Sequence, residues 1–342
     1  MPRNSLRKII AGLLLSVGLA AASAPASAYT GLYVFGDSLS DPGNNALVIG
    51  ADPSQVVSGN SYIPTFPYFP SLQYTNGNVW ATTFANSLGL GAYATPALAG
   101  GGNFAFGGAR TSLDGAGLPP SLLTQTGMFF GATSSHAPSG ALYVVAGGGN
   151  DARDTLAAVA SDPTNANSII FAAAQRYAAD TKSIVDSLQA AGAQSIVVWN
   201  TPNLGLAPAV TALETVSPGA SFLGSAVASS MNAALGLAMA HETGVTIFDD
   251  YGLLTAAVAN PSAFGLTNVT DACGNILAGC NPATSMFWDG IHPTAAGHAL
   301  LAGAMLHSAA VVAVPEPETY AMMLMGLGLL GFVARRRKQQ AA

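Results

Sequence analysis

Three residue types in this chain of 342 residues stand in surroundings that could support nucleophilic chemistry. Ser38 lies in Phe35-Gly36-Asp37-Ser38-Leu39-Ser40-Asp41, directly after an apolar run and a glycine. A serine hydroxyl is a weak nucleophile until a base removes its proton. Taken alone, Ser38 reads equally as a helix N-cap. Of the five histidines, His292 is the one framed by polar and turn residues, in Trp288-Asp289-Gly290-Ile291-His292-Pro293-Thr294. At a spacing of three, a turn lets the Asp289 carboxylate meet the ring nitrogen that faces away from the serine. It would then fix the tautomer and stabilise the imidazolium. The competing reading is an N-cap aspartate beside a surface histidine. His298 and His307 fall in a helical pattern, and His136 lies in a loop.

Acyl transfer also needs donors for an oxyanion. Two segments could supply them. Gly101-Gly102-Asn103-Phe104-Ala105-Phe106-Gly107-Gly108-Ala109 offers backbone N–H groups that no side chain shields, and Gly148-Gly149-Asn150-Asp151 offers the Asn150 amide. Each glycine cluster also reads as an ordinary turn. Neither fits a phosphate-binding loop, because the G-x-x-x-x-G-K-S/T pattern is missing.

The elements that must position these residues alternate between strand and helix. Apolar runs at Leu32 to Phe35, Asn103 to Phe106, Ala141 to Ala146, Ser195 to Asn200 and Val245 to Phe248 predict strands. Helical periodicity predicts helices over Trp80 to Leu88, Asn167 to Ala191, Ser221 to Thr243 and from Thr294 to about Val311. Long loops are expected at Asp41 to Asn78 and Thr111 to Gly140. The alternation implies an α/β domain with a parallel sheet and helices on both faces. In such sheets ligands bind beyond the carboxyl ends of the strands. The polar segments at Ser38, Asn150 and Asp289 to His292 all follow strands, so they are expected at one edge of the sheet.

Half of the residues are hydrophobic and 8% are charged. The densest apolar clusters sit at the two ends. Arg3, Arg7 and Lys8, an apolar run from Ile9 to Ala22 and Ala26-Ser27-Ala28 predict a secretory signal peptide over residues 1–28. At the other end, Val314-Pro315-Glu316-Pro317-Glu318 precedes an apolar stretch from Tyr320 to Ala334 and the cluster Arg335, Arg336, Arg337, Lys338. That stretch is near the lower limit for a membrane span, and its basic end is expected to stay cytoplasmic. Residues 29–313 remain as one domain. They hold four basic residues against fifteen acidic ones, a net formal charge of −11. Nucleic-acid binding is excluded on that balance, since phosphate contacts need clustered Lys and Arg. Cys273 and Cys280, close together in an exported chain, predict a disulfide; a metal site lacks two further ligands nearby.

Taken in order, Gly36 to Asp41, Asn103 to Ala109, Gly148 to Asp151 and Asp289 to Thr294 resemble the four sequence blocks of the GDSL lipase/esterase (SGNH hydrolase) family. The resemblance covers nearly all of Tyr29 to Val311. It implies a three-layer, flavodoxin-like SGNH hydrolase fold and hydrolysis of carboxylic esters with no metal or organic cofactor. Carried over by motif, Ser38 is the nucleophile, His292 the general base and acid, and Asp289 its orienting partner. The oxyanion donors are the backbone N–H groups of Ser38 and Gly108 and the Asn150 side chain. Gly108 is chosen over Gly107 because it sits five residues after Asn103. Asn200-Thr201-Pro202-Asn203-Leu204-Gly205 is similar to a further family segment, with Asn203 where Asp is commoner. The C-terminal order of Pro-Glu-Pro, apolar helix and arginine cluster resembles the PEP-CTERM sorting signal. This implies transient anchoring in the inner membrane and export to the periplasm, cell surface or extracellular matrix. The expected partners are an ester substrate, signal peptidase and an exosortase-like sorting enzyme. Lipid or short-chain esters and acetylated extracellular polysaccharide are alternative substrates, and a non-catalytic matrix protein on the same scaffold is a third reading.

Overall fold

A computed structural model describes residues 29–308 and a helical turn at 325–327. The segments expected to be a signal peptide and a sorting tail, 1–28 and 314–342, lie outside the described residues apart from that turn.

Four strands form one parallel sheet: β1 (Gly31–Gly36), β2 (Ala141–Ala146), β3 (Ser195–Trp199) and β4 (Val245–Phe248), in that spatial order. Each is short and rich in β-branched or aromatic residues; β1 to β3 are nearly all buried, as expected for a parallel sheet packed on both faces, while the edge strand β4 is mostly half-buried. The period-2 alternation of a strand divides the residues between two cores. Leu32, Val34, Leu142, Val144, Val197 and Trp199 pack on one face against α2 (Trp80–Ser87) and α8 (Ala295–Leu306). Phe35, Tyr143, Val145, Ile196 and Val198 face the other core. That second core is closed by α3 (Leu122–Thr133), α5 (Ala166–Ala190) and α6 (Ala220–Met239), with α4 (Gly149–Ser161) beside them. Two further helices are α1 (Asn44–Ile49) and α7 (Asp250–Ala259), and a single α-helical turn lies at Pro208–Thr211. The arrangement is α/β with helices on both faces, as the sequence pattern and the family resemblance imply.

The expected strand at Asn103 to Phe106 does run beside β1. Val34 N donates to Gly102 O at 3.1 Å, Phe104 N to Val34 O at 2.7 Å and Phe106 N to Gly36 O at 3.2 Å. It is not a regular strand: its pairing with β1 is the isolated bridge Val34 to Asn103, and Ala105 N, facing away from β1, donates to the Asn103 side chain at 3.0 Å. The segment lies at the free edge of β1, so the regular sheet keeps four strands; counted with it, the chain order reads 2-1-3-4-5, that of flavodoxin-like sheets.

Helices α1, α3, α4 and α7 fall where the sequence pattern predicts loops or strand ends. Helix α3 contains Gly127 and Gly131, three threonines and two phenylalanines, all of which weaken helix propensity. It forms because Leu122, Thr126 and Phe129 are buried and Ser121 caps it by accepting from Thr124 N at 3.2 Å. Tertiary burial overrides propensity here.

Candidate active site

Strand β1 ends at Gly36, whose N–H and C=O are both held by the buried Gln125 amide at 2.8 and 2.9 Å. The chain then turns sharply. Ser40 N and Asp41 N both return to Asp37 O at 3.0 Å, and Leu39 N donates to the Asp37 carboxylate at 3.0 Å. Burial pushes the Asp37 carboxyl up to about 6. The turn presents Ser38 beyond the carboxyl end of the sheet, and Ser38 caps no helix.

Ser38 Oγ lies 2.7 Å from His292 Nε2, and His292 Nδ1 lies 2.7 Å from Asp289 Oδ2. Since a carboxylate only accepts, Nδ1 carries the ring proton and Nε2 accepts from the serine hydroxyl. Asp289 is fully buried. Its other oxygen, Oδ1, accepts from Ile291 N and His292 N, each at 2.8 Å. Oδ2 also accepts from the Tyr68 hydroxyl at 2.9 Å. Four donors thus surround a buried carboxylate, which offsets its desolvation. Burial and the Asp289 carboxylate drive the Tyr68 phenol pKa far up, so it stays a donor. The histidine ring packs on Tyr74, with centroids 5.4 Å apart.

The expected loop at Asp41 to Asn78 is what holds the Asp289–His292 turn. Besides Tyr68, it offers Tyr62 O to Gly290 N at 2.8 Å, Thr75 Oγ1 to Pro293 O at 2.8 Å and the Asn76 side chain to Ala295 N at 2.8 Å. On the other side, Cys273 and Cys280 are joined as a disulfide. Cys273 N and Gly274 N donate to Phe287 O and Trp288 O, fixing the segment that leads into Asp289.

The oxyanion candidates meet at the same place. Asp41 accepts from Gly43 N, Asn44 N and Asn45 N at the start of α1 and, through Oδ2, from Gly107 N at 2.9 Å. Despite these donors, burial pushes its carboxyl up to about 6. Asp41 therefore ties the serine loop to the glycine pair. A Cβ on Gly107 would stand 2.1 Å from the Tyr74 ring. Gly108 has φ of 83°, a left-handed conformation that favours glycine. Its carbonyl accepts from Arg110, which in turn makes a two-point ion pair with Asp154 at 2.9 Å. The N–H groups of Ser38 and Gly108 donate to no described residue. Asn150, in the first turn of α4, gives one amide hydrogen to Ala109 O at 2.9 Å and keeps the second free.

Ser38, Gly108, Asn150 and His292 all line one cleft of about 540 Å³. Much of its remaining wall is apolar, including Val48, Ile63, Leu98, Leu118 and Met128. Of the other histidines, His298 is buried on α8, accepts from Trp80 N at 3.2 Å and has its pKa pushed down by burial to about 3, so it is a neutral core residue. Asn203 bonds Ser225 and Thr255 and holds α6 to α7, away from the cleft. Among the described residues no cluster of His, Cys, Asp and Glu could hold a metal ion. Sequence reasoning missed Tyr68, Asp41's link to Gly107, and Arg153 on the cleft wall. Of these, Asp41 had a signal, as the last residue of the first polar block.

The geometry can be set beside known proteins. The chain is 30% identical over 346 residues to esterase EstA of Pseudomonas aeruginosa and, equally, to esterase EstA of Pseudomonas putida, covering 88% of this chain and 50% of each relative. It is 26% identical over 325 residues to a GDSL esterase/lipase of Arabidopsis thaliana, covering 82% of this chain and 89% of that protein. The chain thus spans about half the length of the Pseudomonas relatives it matches. The model of the PEP-CTERM protein-sorting motif matches residues 313–338. The model of the GDSL-like lipase/acylhydrolase matches residues 32–305, nearly the whole described region, and the chain belongs to that family.

Proposed function

We propose that this protein is an exported serine esterase that hydrolyses carboxylic esters through an acyl-enzyme on Ser38. The observation that carries the reading is the unbroken contact from Ser38 Oγ to His292 Nε2 and from His292 Nδ1 to Asp289 Oδ2, each 2.7 Å, in a cleft that also holds unused N–H donors.

His292 Nε2 takes the hydroxyl proton as Ser38 Oγ attacks the ester carbonyl carbon. Asp289 keeps the ring in the productive tautomer and stabilises its positive charge. The N–H groups of Ser38 and Gly108 and the free Asn150 amide hydrogen receive the oxyanion. The tetrahedral adduct collapses, and His292 returns its proton to the departing alkoxide. Water then enters, loses a proton to His292, and releases the carboxylic acid and Ser38 by the same route. No metal or organic cofactor takes part in these steps.

The apolar wall supports an acyl chain longer than acetyl, since burying each CH2 contributes about 0.8 kcal/mol. The sorting motif instead favours a second substrate class, acetylated polysaccharide of the extracellular matrix. Residues 1–28 serve export in this reading, and 314–342 a sorting enzyme of the exosortase type. The test is turnover of a 4-nitrophenyl ester series from acetate to palmitate by the protein and by its Ser38→Ala variant. Activity lost in the variant and rising beyond acetate supports the esterase; activity on acetate alone favours the deacetylase. Equal turnover by both proteins would overturn the mechanism.

A further inference from the structure

Among the described residues the acidic side chains avoid the cleft, and the permanent charge on its wall is a cation. Fifteen acidic residues lie in 29–313, yet among the described residues lining the cleft there is no Asp or Glu. Arg153 lines it, one helical turn after Asn150 on α4. The other basic residues among those described are engaged elsewhere: Arg110 pairs with Asp154, Lys182 with Asp186 and Glu242, and Arg176 is exposed and does not line this cleft. Arg153 is half-buried, and no carboxylate of the described residues lies within 4.0 Å of it. Asp154, Asp289 and Asp37 act on it from farther away, and burial lowers its pKa against their pull. Of its five N–H donors one is used, a 3.3 Å bond from Nη1 to Asn150 Oδ1. A partly desolvated guanidinium with most donors unspent is unfavourable unless something else satisfies it. Its fork matches the paired oxygens of a carboxylate or phosphate.

We propose that Arg153 receives an anionic oxygen group, carboxylate or phosphate, carried by the ester that Ser38 cleaves, and so makes the enzyme selective for anionic over neutral esters. The guanidinium is one carboxamide removed from the oxyanion donor Asn150, so the anion sits a few bonds from the scissile carbonyl. It comes from the acyl side or from the alcohol side. The inference rests on the esterase reading above.

The test compares two matched pairs on the full-length protein. The 4-nitrophenyl monoester of succinic acid against 4-nitrophenyl pentanoate places a carboxylate on the acyl side. Octanoylglycerol phosphate against octanoylglycerol places a phosphate on the alcohol side. In at least one pair the anionic member should have the higher kcat/KM. Arg153→Gln should lower the anionic-to-neutral ratio by about 10- to 100-fold, mainly through KM, as loss of a charged hydrogen bond does. Arg153→Lys should recover part of it, and circular dichroism checks that both variants fold. A ratio unchanged within twofold for both pairs overturns the proposal, including the case where all four rates fall together, because Arg153 then acts only by orienting Asn150. Binding of the same four compounds to Ser38→Ala, measured by calorimetry, reads the same ratio without turnover. A protein that cleaves no ester but still binds the anionic ligands more tightly would sink the esterase reading and the selectivity that rests on it, and leave only the anion site at Arg153.

Discussion

The Tyr68 hydroxyl donates to Asp289 Oδ2 at 2.9 Å across a sequence separation of 221 residues. The same oxygen holds the His292 ring, so two donors from different segments fix one carboxylate atom. Tyr68→Phe removes one of them and leaves the backbone donors to Oδ1 in place. Because a hydrogen bond to a charged group is worth about 1.5–3 kcal/mol, kcat should fall about 10- to 100-fold with KM little moved. Steady-state kinetics on one ester checks this; an unchanged kcat would show that Tyr68 only packs the loop.

Asn150 keeps one amide hydrogen free while the other is fixed on Ala109 O. Asn150→Ala should therefore cost about 100- to 1000-fold in kcat, the usual loss for one oxyanion donor. Asn150→Asp should be no better, since a carboxylate cannot donate. The reading fails if either variant keeps a tenth of the activity.

The adjacent glycines should respond differently to alanine. At Gly107 the added carbon would land 2.1 Å from the Tyr74 ring, which itself packs on His292. At Gly108 the nearest atom is Pro119 Cγ at 3.5 Å, so space is available and only the φ of 83° resists. Gly108→Ala should destabilise by about 1 kcal/mol and shift the N–H, lowering kcat. Gly107→Ala should unfold at a clearly lower temperature. Thermal melts of the two variants, read beside their kcat values, test the ordering.

Asp250 is buried, and its carboxyl is pushed up to about 7 by burial and then by Asp37 and Asp249. For an acid whose folded pKa exceeds its unfolded value, the folded state binds the proton more tightly, so stability falls as pH rises between the two. The cost is absent below about 4, where both states are protonated, and complete above about 7. Asp250→Asn should thus raise stability at pH 8, by on the order of 1–3 kcal/mol, and lose that advantage near pH 4. Denaturant titrations at the two pH values measure the gap. A gap that widens on acidification would contradict the assignment.

Much of the candidate site is legible in the sequence itself. Ser38, Asn150, Asp289 and His292 occur in short polar blocks after apolar runs, and a block's local chemistry depends on neighbours one to five residues away. Asp289 and His292 meet because a single turn spans them, with the backbone N–H groups of Ile291 and His292 closing on Oδ1. The strand pattern likewise follows from local alternation, and β4 spans the expected Val245 to Phe248. Helices α3 and α4 are not legible in this way, because glycine, threonine and polar residues dilute their periodicity and burial against the core stabilises them.

What tertiary structure alone decided is which distant groups share an atom. Tyr68 looks like one more loop aromatic until the fold seats it on Asp289. Asp41 looks like a cap until its second oxygen reaches Gly107, 66 residues on. Arg153 looks like a helix-surface cation until α4 turns it onto the cleft wall with no carboxylate beside it. Residue type and spacing determine which groups can do chemistry. Contacts between remote segments depend on how loops close over the sheet, and that is a property of global packing which short-range pattern does not encode.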